Sequence, residues 1–302
     1  MKPVVSICCI TYNHQKYIRK ALEGFLLQKT NFPIEVIIHD DASNDGTDEI
    51  IKEYSERYPE LFITILQTEN QWSQGIRPSP TYVWPRARGK YIALCEGDDY
   101  WTDPNKLQRQ VDFLEENPEF SFCCHRYKID PIVKDSTKEV YPLSFNPVNK
   151  QFKGVIINKD TYHENWIMQT LTTVIRTDAL QVAIKHHSKY KYFRDTHLFY
   201  FLLKQGNGIC LDFIGGVYNQ NGGGIYSGID LLQRQKIDLL IFEELYFNTH
   251  DIRFLNNYSY LTYQLIIKGN FSFVAKSLIF NFSLRDTLNI FKARMLKIKH
   301  TF

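Results

Sequence analysis

Three carboxylic acids stand close together directly after an apolar run of the chain. Residues 91–95 read Tyr-Ile-Ala-Leu-Cys, and Glu96, Asp98 and Asp99 follow them. Like charges this close repel one another, and at the end of a buried strand they are poorly solvated, so a divalent cation would relieve the repulsion. Mg²⁺ and Mn²⁺ favour carboxylate and phosphate oxygens. The pattern predicts a metal site that uses Asp98 and Asp99.

A solvated turn before the next helix is the alternative interpretation of these acids. Pro104 suits the first turn of a helix, and Asp103 can serve as its N-terminal cap. Because Asp103 is sufficient for that purpose, the alternative leaves Asp98 and Asp99 without a role. We therefore favour the metal site.

Two further polar clusters follow the first two predicted strands. Thr11, Tyr12 and Asn13 come after the first strand, and Asp40 and Asp41 come after the second. The carboxyl ends of parallel strands meet at one edge of a sheet, where α/β proteins bind ligands. A carboxylate there can accept the N–H groups of a nucleotide base. Turn and helix-start chemistry is the alternative for residues 40–46, and a plain strand end is the alternative for residues 11–13.

Strand and helix patterns alternate through the first half of the chain. Apolar runs predict strands at residues 4–10, 35–39, 61–67, 91–95 and 120–125. Helical periodicity lies between them, which implies a mainly parallel sheet with helices on both faces. The second half is less regular, with strands predicted at 170–175 and within 209–218 and a short helix at 195–204. From residue 230 onward the pattern is helical.

The composition and the absence of certain motifs exclude some classes of function. The formal net charge of +3 is too small to imply a nucleic-acid partner. No Gly-x-Gly-x-x-Gly and no Walker motif follows the first strand, so a nucleotide would be held through its base and a metal. The six cysteines have neither zinc spacing nor a disulfide framework, which favours reduced thiols and the cytoplasm. The chain opens without a signal-peptide pattern and has no apolar run long enough to span a bilayer.

In their order along the chain, these motifs resemble the family-two glycosyltransferases of the GT-A fold, of the type that builds bacterial polysaccharides. The resemblance rests on residues 5–13, 40–47, 88–92 and 98–107 and covers about the first 125 residues. It implies a Rossmann-like, mostly parallel sheet flanked by helices, with a helical C-terminal extension. We predict a catalytic domain over 1–228, with a nucleotide-binding half (1–127) and an acceptor-binding half (128–228). The extension would be 229–302.

The resemblance also implies an activity and roles for residues. Such enzymes transfer a sugar, with inversion, from a nucleotide-sugar donor to an acceptor hydroxyl; we expect UDP-sugars and Mn²⁺ or Mg²⁺. Asp41 would hold the base. The other nucleotide-binding residues implied are Thr11, Tyr12, Asn13, Glu96 and Asp98, and the metal ligands are Asp98 and Asp99. Glu96 departs from the Asp that usually opens the family's acidic motif.

The general base of the family corresponds best to Asp195. It lies in the stretch Phe-Arg-Asp-Thr-His-Leu, residues 193–198. A carboxylate there would take the proton of the acceptor hydroxyl; a helix N-cap is the alternative role for this residue. Many relatives carry a His where this chain has Asn221, whose carbonyl could still bind a metal. The glycine loop 222–224 with residues 226–227 would then form a lid.

The last residues and the tryptophans complete the predictions. Residues 285–302 alternate basic and apolar side chains, as in a helix that lies on an anionic membrane surface or packs on the core with a solvated basic face. Membrane contact would suit a lipid-linked saccharide acceptor. Trp101 is expected to pack beside the site, whereas Trp72, Trp84 and Trp166 are candidates for stacking on a sugar. The alternative functions are a sugar-nucleotide nucleotidyltransferase and a non-catalytic nucleotide-sugar binding protein.

Overall fold

The structure is a computed structural model that describes residues 2–130, 139–142, 152–160, 162, 166–221 and 228–281. It has two compact units, Met1–Asn221 and Gly222–Phe302, which we describe separately. The proposed domain boundary after residue 228 and the functional halves 1–127 and 128–228 remain predictions. The glycine loop and the proposed lid, 222–227, lie outside the described residues.

The first unit contains one sheet and the helices that cover it. The strands are β1 (Val5–Thr11), β2 (Ile34–Asp40), β3 (Phe62–Leu66), β4 (Tyr91–Leu94), β5 (Tyr100–Trp101), β6 (Phe120–Asp130), β7 (Val140–Tyr141), β8 (Gly154–Ile157), β9 (Val174–Arg176) and β10 (Asn207–Asn219). The helices are α1 (Ile18–Leu26), α2 (Thr47–Arg57), α3 (Lys106–Glu116), α4 (Thr177–His186) and α5 (Asp195–Leu203).

The sheet is mainly parallel, as predicted. Its order is β3-β2-β1-β4-β9-β6-β10-β5, with β7 beside β6 and β8 beside β10. The pairs β1–β2, β1–β4, β2–β3 and β6–β10 are parallel. Strand β9 is antiparallel to both of its neighbours, β4 and β6, so β6 runs in the same direction as β4. The long strands therefore all end at one edge.

The helices bury the faces that the sequence predicts. Helix α1 buries Ile18, Leu22 and Phe25 against the sheet, and its periodic apolar positions explain why it packs there. Helix α3 likewise buries the stripe made of Leu107, Val111 and Leu114. The core thus lies between the sheet and its helices. The polar loops that follow the strands lie outside this core and can form a site.

Two local predictions are wrong. Helix α3 begins at Lys106 after Asn105, and Asp103 is not its cap. Instead, Asp103 Oδ1 accepts from the backbone N–H of Asn105 at 2.9 Å, which stabilises the turn that precedes the helix. The strand predicted at 170–175 starts as a 3₁₀ turn, Thr170–Thr172, and becomes extended only from Val174. Side chain-to-backbone bonds within this turn, such as Thr172 Oγ1 to Gln169 O at 2.7 Å, compete with strand pairing.

The second unit is helical over its described part, as predicted. Its helices are α6 (Leu231–Thr249), α7 (Ile252–Ile267) and α8 (Phe271–Asn281). Asp230 caps α6 by accepting from the N–H of Gln233 at 2.8 Å. A small core contains Leu239, Leu255, Tyr258, Leu261, Leu265 and Val274. In the described part of the chain, no helix has both the length and the hydrophobicity to cross a bilayer. Residues 285–302 lie outside the described residues.

Candidate active site

The loops after β1, β2 and β4 are joined by backbone hydrogen bonds. Thr11 pairs in register with Asp40 at the ends of β1 and β2. Asp41 N donates to Thr11 O, and Gly97 N donates to Ile10 O, each at 3.0 Å. The three polar clusters predicted from the sequence therefore meet at one edge of the sheet.

Asp41 is buried and builds the neighbouring turn. Its Oδ1 accepts from the N–H of Gln71 at 2.8 Å, and its Oδ2 accepts from the N–H of Trp72 at 3.0 Å. The amide of Asn70 also donates to the Asp41 carbonyl at 3.0 Å. A carboxylate has about four acceptor positions, so Asp41 keeps the capacity to accept from a ligand as well. The dependence of residues 70–72 on Asp41 was not predictable from the sequence, because these residues lie about 30 positions apart.

Thr11, Tyr12 and Asn13 have three different environments. Asn13 has a φ of +55°, a conformation that Asn tolerates better than most residues, and its Oδ1 accepts from the N–H of Asn44 at 3.0 Å. Tyr12 is exposed. Thr11 is buried, and a Cβ at Gly97 would lie 2.6 Å from its Oγ1. The glycine of the acidic turn is therefore required by the close approach of Thr11.

The two aspartates of the acidic turn differ. Asp98 Oδ2 accepts from Nδ2 of Asn221 at 2.9 Å and lies 3.7 Å from Nε2 of His14. Asp99 is only 3% exposed, and its Oδ1 accepts from the backbone N–H of Asn219 at 2.8 Å. Asp98 is therefore the carboxylate that can reach a ligand, while Asp99 anchors the turn to the end of β10.

Two carboxyl groups of the acidic turn are difficult to ionise. Burial raises the pKa of Asp99 well above its usual range, and the charges of Asp98 and Glu96 raise it further. Burial, followed by the charge of Asp195, raises the pKa of Glu96 to about 8. The pKa of Tyr218 is also raised, first by burial and then by these carboxylates. Carboxylates that are difficult to ionise in isolation are stabilised by a bound cation.

The oxygen atoms of Asp98 and Asn221 suit a divalent cation such as Mg²⁺ or Mn²⁺ that takes few ligands from the protein. Among the residues that the structure describes, no three His, Cys, Asp or Glu side chains are grouped as a metal site. Asp98 and the amide of Asn221 are nevertheless in contact, and both offer oxygen atoms, which Mg²⁺ and Mn²⁺ prefer. These two groups can hold such an ion if the remaining positions are filled by water or by a ligand's phosphate oxygens.

Asp195 is the first residue of α5, and the N-cap position belongs to Arg194, so the N-cap role considered for Asp195 is wrong. Asp195 is exposed to solvent, and desolvation by the neighbouring protein atoms raises the pKa of its carboxyl group, against the opposing charge of Arg194. The charge of Asp195 also contributes to the raised pKa of Glu96, so the two carboxyl groups are near enough to interact.

Several contacts at this site could not be read from the sequence. Thr170 Oγ1 donates to Oε2 of Glu96 at 2.7 Å, across a long separation along the chain. Trp101 is buried beside the site, as expected. Trp84 is also buried, which makes its predicted role in sugar stacking wrong. Trp72 is half-buried beneath Arg77, and Trp166 is exposed.

The sheet is mainly parallel, and its carboxyl edge carries an acidic turn and a buried aspartate, Asp41, with a further carboxyl group supplied by the second half of the chain. This arrangement defines the GT-A class of glycosyltransferases. The family itself follows from the sequence: the model described as "Glycosyl transferase family 2" matches residues 6–172, more than half of the chain. The chain belongs to this family.

Relatives and solved structures agree with this assignment. The uncharacterized protein Rv1520 of Mycobacterium tuberculosis is 50% identical over 143 residues, which are 47% of this chain and 40% of that protein. The UDP-Glc:alpha-D-GlcNAc-diphosphoundecaprenol beta-1,3-glucosyltransferase WfaP of Escherichia coli is 32% identical over 127 residues, 42% of this chain and 47% of that protein. The matches therefore span less than half of either relative.

The fold also matches a solved structure. The structure of S. aureus TarS 1-349 in complex with UDP-GlcNAc superposes with a TM-score of 0.60 at 19% sequence identity. The match covers 97% of this chain and 79% of that one. The likeness confirms the GT-A fold.

Proposed function

We propose that the protein is an inverting glycosyltransferase of bacterial polysaccharide biosynthesis. It moves a sugar from a UDP-sugar to a hydroxyl of a saccharide or lipid-linked saccharide. One observation carries the proposal: backbone hydrogen bonds join the loops after β1, β2 and β4, so Asp41 and the acidic turn lie together at the carboxyl edge of the sheet. The charge of Asp195, which contributes to the raised pKa of Glu96, supports Asp195 as the base. The name of WfaP and the UDP-GlcNAc bound in the TarS structure support the donor class, and the name of WfaP supports a lipid-linked acceptor.

The donor nucleotide would bind along the edge formed by the first three loops. Asp41 would accept the N–H of the base, and Thr11, Tyr12 and Asn13 would line the nucleotide. Glu96 and Asp98 would contact the rest of the nucleotide from the acidic turn. The backbone bonds between these loops support this arrangement because they fix the clusters relative to one another.

A divalent ion, Mn²⁺ or Mg²⁺, would neutralise the negative charge that develops on the departing diphosphate. In this chain Asp98 would hold it, with Asn221 as a second ligand through its carbonyl oxygen. Asp99, which we predicted as a ligand, would act mainly by fixing the turn, because its Oδ1 accepts from Asn219 N. Asn221 can change from donor to ligand by rotation of its amide, since its two ends are nearly the same size.

Asp195 would act as the general base. Its carboxylate takes the proton of the acceptor hydroxyl while that oxygen forms a bond to the anomeric carbon. The bond from this carbon to the donor phosphate breaks, and UDP leaves with the electron pair. The acceptor attacks opposite the leaving group, which inverts the configuration. The raised pKa of Asp195 would make it a stronger base than an ordinary surface aspartate.

Donor binding and turnover test this proposal separately. We would screen nucleotide sugars for thermal stabilisation with Mn²⁺ or Mg²⁺, because a ligand that binds only the folded state raises its melting temperature. The donor that stabilises most is then assayed for hydrolysis and transfer. Asp195→Asn should lower turnover by about 10²- to 10⁴-fold, leaving a measurable residual rate, and should preserve stabilisation by the donor.

A matched control is Asp178→Asn, since Asp178 occupies the first turn of α4 as Asp195 does in α5. It should keep full activity. Turnover retained by Asp195→Asn would refute the mechanism, and binding without turnover in the unaltered protein would favour the non-catalytic alternative. Formation of a nucleotide sugar from a nucleoside triphosphate would favour the nucleotidyltransferase.

The remaining predictions concern location. We propose that the enzyme works in the cytoplasm, where nucleotide sugars are made, and that residues 285–302 hold it as a peripheral protein on the membrane face. Binding of the whole chain to anionic vesicles, lost on removal of 285–302, would support this. Equal vesicle binding by both forms would contradict it.

A further inference from the structure

The segment that leads to Asp195 is fastened to the turn that Asp41 builds. The Asp41 carboxylate holds this turn, residues 70–72, because its Oδ2 accepts from the backbone N–H of Trp72 at 3.0 Å. The guanidinium of Arg77 lies over the Trp72 ring, 4.1 Å from its centroid. Arg77 Nη2 then donates to the carbonyl oxygen of Lys191 at 2.8 Å. A continuous path of contacts therefore leads from the proposed base-binding aspartate to the residues that precede Asp195.

Two further contacts join the same segments. Arg194, the neighbour of Asp195, lies 5.9 Å from the centroid of the Trp72 ring. The rings of Trp84 and Phe193 meet edge to face at 6.3 Å. Three positions just before Asp195 are thus held by one stretch of chain, residues 72–84.

We propose that Arg77, stacked on Trp72, is a positioning residue for Asp195. This inference rests on the proposed function. A guanidinium can stack on an aromatic face and donate in its own plane at the same time, which a lysine ammonium cannot do. Arg77 thereby fixes the 191–195 backbone against a turn whose own position is set by Asp41. The structure couples the donor-binding edge to the residue that receives the acceptor's proton.

The kinetic test is a double-mutant cycle on donor hydrolysis and transfer. Arg77→Ala should lower kcat by about 10- to 100-fold, since displacing a reacting group by about 1 Å has effects of that size. The KM for the donor should stay within about twofold. The Asp41 carboxylate is held by the backbone N–H groups of Gln71 and Trp72, and the substitution at Arg77 leaves these groups in place. In the Asp195→Asn background, Arg77→Ala should have little further effect, since the residue that it positions is already lost.

Arg57→Ala is the matched control, because Arg57 also stacks on an aromatic ring, that of Tyr58 at 5.3 Å, in a helix away from the site. It should leave kcat unchanged. If the effects of Arg77→Ala and Asp195→Asn simply multiply, Arg77 acts independently of Asp195 and the proposal is wrong.

A second measurement does not depend on activity. Hydrogen–deuterium exchange of residues 190–198 should become faster in Arg77→Ala and stay unchanged in Arg57→Ala. Unchanged exchange in Arg77→Ala would overturn the proposal even if the enzyme is active. An unaltered protein that neither binds nor turns over any UDP-sugar would refute the proposed function instead, and exchange would still decide whether Arg77 fastens this segment.

Discussion

Replacing Arg88 with methionine should destabilise the first unit through a single buried acid. The side chain of Glu35 is only 3% exposed, while that of Arg88 is 61% exposed. Arg88 Nε donates to Glu35 Oε2 at 2.8 Å, and Nη2 lies 2.6 Å from the same oxygen. The substitution removes both contacts and leaves Glu35 as a buried acid without its cation.

The size of the expected loss in stability depends on the hydrogen bonds that Glu35 keeps after the substitution. Removing one partner of a fully buried ion pair costs about 3–5 kcal/mol. Here Glu35 Oε1 keeps the bonds from Ser6 Oγ at 2.6 Å and from the backbone N–H of Arg88 at 2.9 Å. Since Arg88 is also largely in water, we expect a loss of about 2–3 kcal/mol in the free energy of unfolding.

Urea unfolding monitored by tryptophan fluorescence measures this loss. All four tryptophans belong to the first unit, so their signal reports its unfolding. Arg19→Met is the control, because Arg19 forms an ion pair with Glu53 in which the side chains are 46% and 52% exposed. Its midpoint should hardly move. If Arg88→Met shifts the midpoint no more than Arg19→Met does, the buried acid does not have the energetic role assigned to it.

Two other predictions concern the site and the core. Asp98→Ala should raise the Mn²⁺ concentration required for half-maximal donor hydrolysis at least about tenfold. Asp99→Ala should instead lower the free energy of unfolding by about 1–3 kcal/mol, because the backbone N–H of Asn219 loses its acceptor. The reverse pattern would contradict the roles given to the two aspartates. Burial lowers the pKa of Lys106 from 10.5 to about 7, so between these values the unfolded chain binds a proton at this residue that the native protein lacks, and Lys106 by itself makes stability rise with pH. The raised pKa values of Glu96 and Asp99 act in the opposite direction, so the test is a comparison. Urea unfolding at pH 7 and 9 should show that the wild type gains stability relative to Lys106→Met as the pH rises; an equal change in both proteins would exclude this effect of Lys106.

Local patterns were sufficient to predict most of the sheet and its helices. The apolar run at 4–10 is too short for a helix and is rich in β-forming residues, and it became the central strand β1. The stripe made of Leu107, Val111 and Leu114 has helical spacing and became the buried face of α3. Caps and turns were less predictable: Asp103 is a good cap by type, but hydrogen bonds with its neighbours decided where α3 begins.

The acidic cluster likewise shows which features of the site were predictable from the sequence and which were not. The types and order of Glu96, Asp98 and Asp99, together with Asp41, were enough to place a ligand site at the carboxyl edge of the sheet. Their spacing could not show that Asp98 meets Asn221 while Asp99 is buried against Asn219, because β10 lies far along the chain. Contacts of this kind depend on which strands become neighbours.

The sequence by itself therefore determined the class of fold, the edge at which the site lies and the residue types that serve it, since these follow from hydrophobic periodicity and from motifs of adjacent residues. Tertiary structure alone decided that Asp98 rather than Asp99 is accessible, that Thr170 hydrogen-bonds to Glu96, and that Trp72 is covered by Arg77. Burial and pairing between distant segments set these features. Neither is encoded in any short stretch of the chain.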